Sequence, residues 1–233
     1  MKKIILASTS TLYNGDYLEY LFPTLKNHFA NCKTLLFIPY AKPGGISHND
    51  YTKKVSETFL KINISVKGIH EFENTIEAIQ NAEAIFTGGG NTFLLVSQLY
   101  KNDLMSVLKQ TIESGTPYLG TSAGSNIGGM TMNTTNDMPI VLPESFNTLE
   151  LIPFNLNPHY LDPIEGSAHM GETRETRIKE FHNVSSIPVL GLREGSWLEI
   201  LDSKITLKGN LTARWFEQSK IPVEINPESD MSF

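Results

Sequence analysis

The 233-residue sequence has a single cysteine, Cys32, so no intramolecular disulfide can form. That suits a reducing compartment. It also lacks any uninterrupted apolar run of roughly 18 residues, which a membrane-spanning helix needs. Near the amino terminus the apolar run Ile4-Ile5-Leu6-Ala7 stops at Ser8-Thr9-Ser10, short of the about 7 residues of a secretory core. A cytoplasmic protein is the expectation. Basic charge is scarce too: the formal net charge is -6, which argues against nucleic acid or an anionic membrane as the main partner. There is no H-E-x-x-H pattern, and His159 and His169 lack helical ligand spacing, so no metal is expected.

What is present is ordinary for a soluble globular protein, with 40% hydrophobic and 19% charged residues. Short apolar runs alternate with longer amphipathic segments, the pattern of parallel β/α units. Strands are expected at Ile4–Ala7, Thr34–Ile38, Ile64–Ile69, Ala84–Phe86 and Tyr118–Gly120. Helices are expected over Asp16–Phe29, kinked at Pro23, and over Asn49–Ile62, Thr92–Leu99, Leu104–Ser114 and Glu172–His182. Further strands are expected at Met138–Leu142 and Pro188–Leu192. Trp197–Ile200 and Lys204–Lys208, with Gly209-Asn210, suggest an antiparallel hairpin. The strands are aliphatic throughout, as in a sheet covered on both faces. No repeat or linker interrupts the chain, so residues 1–233 read as one α/β domain.

Gly120-Thr121-Ser122-Ala123-Gly124 matches the G-x-S-x-G elbow. The three fixed letters arise by chance in roughly one chain of this length in twelve, so the weight falls on the context. An apolar strand precedes the serine, and the small residues Ala123 to Gly129 follow it. A strand-turn-helix corner lifts Ser122 clear at the carboxyl end of the sheet, and the Ala123 amide would face a developing oxyanion. Gly88-Gly89-Gly90-Asn91-Thr92 also follows a strand. Gly89 or Gly90 can supply the second oxyanion donor, although the cluster also reads as a plain turn with Asn91 capping a helix.

A serine nucleophile needs a histidine, and the histidine an acid. Of six histidines, His28 and His182 fall inside amphipathic helices and read as solvated or partly packed. His159, fixed by Pro158, stands slightly ahead of His169. Asp137 and Glu194 are the candidate acids. Asp137 also reads as a turn residue before Pro139, and Glu194 as a surface charge paired with Arg193.

Ordered blocks across nearly the whole chain resemble the peptidase E family of aspartyl dipeptidases. They include Gly88-Gly89-Gly90-Asn91-Thr92-Phe93, the Ser122 elbow, Thr134-Thr135-Asn136-Asp137-Met138-Pro139, Asn157-Pro158-His159, Gly171-Glu172-Thr173-Arg174 and Glu194-Gly195 before Trp197. The resemblance implies a three-layer α/β sandwich with a mostly parallel central sheet, like class I glutamine amidotransferases and flavodoxin. It implies hydrolysis of dipeptides, and some related substrates, with an N-terminal aspartate, without metal or cofactor; the expected assembly is a monomer or homodimer. Ser122 matches the family nucleophile and His159 its base. Asp137 matches a residue regarded as a charge relay, and Glu194 one proposed as third triad member. Thr121 stands where the family often has a bulky aromatic.

An aspartyl substrate asks for a cation facing its side-chain carboxylate. Arg174 is the choice, although Glu172 to Arg177 also reads as an exposed, ion-paired helix on which Arg174 and Arg177 share a face. Loops Ala41–Asn49 and Leu161–Met170 are candidates to roof the site. Two other functions share these residues: a cyanophycinase-like hydrolase of β-Asp-Arg units, and a non-catalytic small-molecule-binding protein of flavodoxin-like shape.

Overall fold

The computed structural model describes residues 1–163, 166 and 171–232. Its main sheet has seven strands. Five are parallel: β1 (Lys3–Ala7), β2 (Thr34–Ile38), β3 (Ser65–Gly68), β4 (Ile85–Thr87) and β5 (Tyr118–Thr121), in the spatial order β3-β2-β4-β5-β1. The sheet continues beyond β1 through an antiparallel hairpin, β8 (Trp197–Leu201) and β9 (Lys204–Lys208). A second sheet joins β6 (Asn155–Pro158), β7 (Val189–Leu192), β10 (Ala213–Phe216) and β11 (Val223–Ile225) in the order β11-β10-β7-β6.

Alternation along the parallel strands produces two cores. Ile5, Leu35, Phe37, Phe86 and Leu119 pack against α1 (Phe22–His28) and α2 (His48–Leu60). Ile4, Leu6, Leu36, Ile38 and Tyr118 face the other way, onto α3 (Thr75–Gln80), α4 (Thr92–Lys101) and α5 (Leu104–Glu113). Every one of these strand residues is 5% exposed or less. A strand buried on both faces must be apolar throughout, which is why these strands are aliphatic runs. The second core runs on into the smaller sheet through Leu156, Leu190 and Trp215. The result is the expected three-layer α/β sandwich. Among the described residues no helix is long and apolar enough to cross a membrane.

Some expectations are corrected. The segment after Asp16 is not one kinked helix: a 3-10 turn at Glu19–Leu21 leads into α1, and Pro23 lies in its first turn. Proline costs little there because that N–H has no helical partner. Met138–Leu142 is not a strand; Met138 and Leu142 are exposed, and Pro139 and Pro143 deny the segment ladder donors. The hairpin turns at Asp202-Ser203, and Gly209-Asn210 follow it rather than close it. His28 and His182 are buried, at 5% and 7% exposure, each with Nε2 within hydrogen-bond distance of a backbone carbonyl, Tyr118 and Ile187 respectively.

Candidate active site

Parallel strands β1, β4 and β5 are neighbours, and their carboxyl ends meet at the residues after Ala7, Thr87 and Thr121. Open α/β sheets place their sites at such an edge. Ser122 follows β5 directly, with φ 54 and ψ -113, a conformation that L residues rarely hold. It is held by its neighbours. The Ser122 amide donates to Ala7 O (3.1 Å), and Ser125 Oγ lies within 2.7 Å of both Ala7 O and Gly120 O. The short helix α6 (Ala123–Asn126) starts at once, and Tyr118 Oη donates to Gly124 O (2.9 Å). A Cβ on Gly124 would stand 2.1 Å from Thr87 O, so the corner closes only with glycine there.

The glycine loop after β4 lies against the nucleophile. A Cβ on Gly89 would meet Ser122 Cβ at 2.9 Å. Tyr51 Oη donates to Gly89 O (3.3 Å), which turns the Gly90 N–H of the same trans peptide the opposite way. Among the described residues the amides of Gly89, Gly90 and Ala123 reach no backbone acceptor.

His159 follows β6 and also has a positive φ, 55°. Its N–H donates to Ser8 Oγ (2.8 Å), and the Ser8 hydroxyl donates to Leu192 O (2.7 Å), tying the histidine to the ends of β1 and β7. Asn136 Nδ2 donates to Pro158 O (2.7 Å). So braced, His159 places Nε2 2.9 Å from Ser122 Oγ and Nδ1 2.6 Å from Glu194 Oε1. Glu194 lies in the turn between β7 and β8, which Gly195 completes at φ 90°.

Asp137 sits elsewhere in the same cleft. Its Oδ2 accepts from Thr92 N (2.7 Å), Thr92 Oγ1 (2.7 Å) and Thr135 Oγ1 (3.0 Å), which caps the start of α4. It makes no hydrogen bond to His159. The cleft, about 20 Å³, is lined by Ser122, Asn126, Asp137 and His159 among others. Asn126 Nδ2 donates to Leu156 O (2.8 Å), so its buried Oδ1 is left without a partner. The pair of acceptors, Asp137 and Asn126, gives this corner a negative character.

Arg174 opens α7 (Arg174–Phe181). Burial and the Arg177 cation lower its pKa, and the Asp137 carboxylate opposes them. Arg177 pairs loosely with Glu172 (3.9 Å), whereas Arg174 has no ion pair among the described residues. Arg193 does not pair with Glu194; it binds Asp162 and Glu224. His169, and most of the loop expected to roof the site, lie outside the described residues. Sequence reasoning missed Ser8, Asn126 and Tyr51. Ser8 was open to detection, as a polar residue ending an otherwise apolar first strand.

A cavity of about 570 Å³ lies away from this cleft, near the amino ends of β2 and β3, lined by Thr34, Lys67 and Phe72 among others. No histidine or glycine-rich corner lines it, so chemistry rather than size marks the site. A strained serine, a histidine on its hydroxyl, a carboxylate on the far nitrogen and waiting amide donors are the parts of a serine hydrolase.

Comparison with known proteins agrees. The model of peptidase family S51 matches residues 4–208. The peptidase E of Streptomyces coelicolor is 43% identical over 229 residues, covering 98% of this chain and 93% of that protein. A probable alpha-aspartyl dipeptidase of Drosophila melanogaster is 41% identical, covering 100% of this chain and 97% of the other. The crystal structure of a peptidase from an acI-B1 Actinobacterium superposes with a TM-score of 0.72 at 15% identity, over 100% of this chain and 97% of that one. The chain belongs to peptidase family S51 and is a serine peptidase with the class I glutamine amidotransferase-like fold.

Proposed function

We propose that this peptidase removes N-terminal aspartate from dipeptides, with Ser122, His159 and Glu194 as its catalytic triad. One observation carries the triad: the continuous run from Ser122 Oγ through His159 to Glu194, at 2.9 and 2.6 Å. The aspartyl preference rests on a relative described as a probable alpha-aspartyl dipeptidase and on the charges around the cleft.

In this reading Nδ1 of His159 carries a proton held by Glu194, which leaves the Nε2 lone pair facing Ser122 Oγ. The hydroxyl attacks the peptide carbonyl as its proton passes to Nε2. The amides of Ala123 and of Gly89 or Gly90 receive the oxyanion. Nε2 then gives its proton to the leaving amine, and water repeats the sequence on the acyl-enzyme.

Asp137 serves the substrate rather than the histidine. Asp137 and Asn126 line a space of about 20 Å³ beside Ser122, enough for a water-sized group by the usual ~10–15 Å³ criterion. An ammonium fits there and a side chain does not. Arg174 takes the substrate's side-chain carboxylate, a planar fork matched to two oxygens. We further read the chain as one folding domain acting in the cytoplasm.

Steady-state hydrolysis of Asp-Leu, Glu-Leu, Ala-Leu and β-Asp-Arg tests this. The wild type should cleave Asp-Leu best, and Ser122→Ala should abolish turnover. Arg174→Gln should raise KM for Asp-Leu by about 10-fold or more, the usual effect of losing a charged hydrogen bond, while leaving Ala-Leu unchanged. Turnover by Ser122→Ala would refute the nucleophile. Preference for β-Asp-Arg would move the enzyme to cyanophycin-like substrates.

A further inference from the structure

We propose that Arg193 is a positioning residue of this site: its guanidinium ties the loop carrying His159 to the turn carrying Glu194 and, through Glu224 and Arg214, to the helix carrying Arg174. The proposal rests on the triad reading above.

Arg193 directly precedes Glu194, and its side chain is only 15% exposed. Nε and Nη2 donate to the two oxygens of Asp162, at 2.8 and 2.7 Å. Nη1 and Nη2 donate to Glu224 Oε2 (2.8 Å) and Oε1 (3.1 Å). Nη1 also reaches Thr212 O and Oγ1, both at 2.8 Å. All five N–H donors of the guanidinium are therefore used. The cation also lies 5.6 Å from the ring centre of Tyr160, the residue after His159.

From Glu224 the cluster continues. Arg214 Nη1 donates to Glu224 Oε1 (3.0 Å), and Arg214 Nη2 pairs with Glu175 Oε2 (3.1 Å). Glu175 is the neighbour of Arg174. Three segments that bear candidate site residues thus each contribute one member of a single ion cluster: Asp162, three residues after His159, Arg193 beside Glu194, and Glu175 beside Arg174. Glu224, on β11, joins them from beyond residue 208, where the family match stops.

The two carboxylates that Arg193 holds are 50% and 39% exposed, and ion pairs so open to water add little stability. What a bidentate fork supplies is geometry, and an ammonium cannot span two carboxylates in the same way. The cluster also stays charged: Arg193, with Thr212 and Arg214, holds the Glu224 carboxyl down to about 2, and Arg193 holds that of Asp162 below its usual range.

The test uses the full chain with Arg193→Met, Arg193→Lys and Glu224→Gln. Asp-Leu turnover is divided by the active-site concentration, titrated with a serine-reactive phosphonate. The downfield proton resonance of the His159 Nδ1–H, followed by NMR, reports the bond to Glu194. Misplacement by about 1 Å can cost about 100-fold, so kcat should fall at least about tenfold in Arg193→Met with the resonance lost or shifted. Arg193→Lys should recover only part, and Glu224→Gln should fall between. Folded Arg193→Met with kcat within about twofold of wild type, or with an unmoved resonance, overturns the proposal. If Arg193→Met does not fold, the same criteria applied to Arg193→Lys and Glu224→Gln decide it. An active Ser122→Ala would sink the triad reading; an inactive Ser122→Ala beside a fully active Arg193→Met would sink only this one.

Discussion

Two carboxylates border one serine, and the geometry assigns them different work, which a pair of isosteric substitutions separates. In Glu194→Gln the side chain keeps its shape, but its NH2 can face His159 Nδ1. The imidazole then prefers the tautomer with its proton on Nε2, and Ser122 loses its base. In a buried triad the equivalent acid-to-amide change costs about 10⁴-fold in kcat. Here Glu194 is 46% exposed and His159 37%, so water can stand in for part of the lost acceptor. We therefore expect a smaller loss, about 10²- to 10³-fold, which at 1.36 kcal/mol per decade is about 3–4 kcal/mol of barrier. KM should hardly move. Asp137→Asn should behave oppositely. Its amide oxygen can still accept from Thr92 and Thr135, so the start of α4 stays capped, but the charge facing the ammonium is gone. A charged hydrogen bond contributes about 1.5–3 kcal/mol, so KM should rise about 10- to 100-fold with kcat within a few-fold. Rates of Asp-Leu cleavage, followed by chromatography of released leucine, provide both constants. A loss of 10³-fold or more in kcat for Asp137→Asn, with Glu194→Gln nearly unaffected, would refute the assignment.

Gly89→Ala puts a Cβ 2.9 Å from Ser122 Cβ, so it should displace the glycine loop and cut kcat about 10²-fold, the usual cost of one oxyanion donor; unchanged turnover would remove that loop from the mechanism. His28 sets an acid limit on stability. Burial, helped by the Lys3 cation, pushes its pKa down to about 3, so the native state keeps it neutral while the unfolded chain protonates near 6.5. The stabilisation is complete above pH 6.5 and is lost as pH falls toward 3. Between pH 6.5 and 5 the loss is about 2 kcal/mol at 1.36 kcal/mol per pH unit. Urea midpoints should fall more steeply over that range in the wild type than in His28→Gln; equal slopes would show that His28 is not the group responsible.

How much of this was legible in the sequence depended on whether local chemistry or tertiary contact decided each feature. The parallel strands were readable because burial on both faces forces an unbroken apolar run, as in Ile4-Ile5-Leu6-Ala7. Strand β6 was not, because Asn155-Leu156-Asn157-Pro158 looks like a turn. Its asparagines are buried and tied down by distant partners: Asn155 Oδ1 accepts from Thr131 N (2.8 Å) and Asn157 Nδ2 donates to Thr134 O (2.8 Å), more than twenty residues away, while Asn157 Oδ1 has no partner among the described residues. Met138–Leu142 erred the other way, apolar in composition but denied a ladder by its prolines. The site divides along the same line. The elbow around Ser122 is local, since a strained serine needs small neighbours within two residues, and those neighbours are visible. The choice between Asp137 and Glu194 is not local. What separates them is which donors compete for each carboxylate: Thr92 and Thr135 occupy one oxygen of Asp137, while Arg193, the nearest cation to Glu194 in sequence, is held by Asp162 and Glu224. Glu194 is left free to take His159 because three other acidic and polar groups already hold its neighbour.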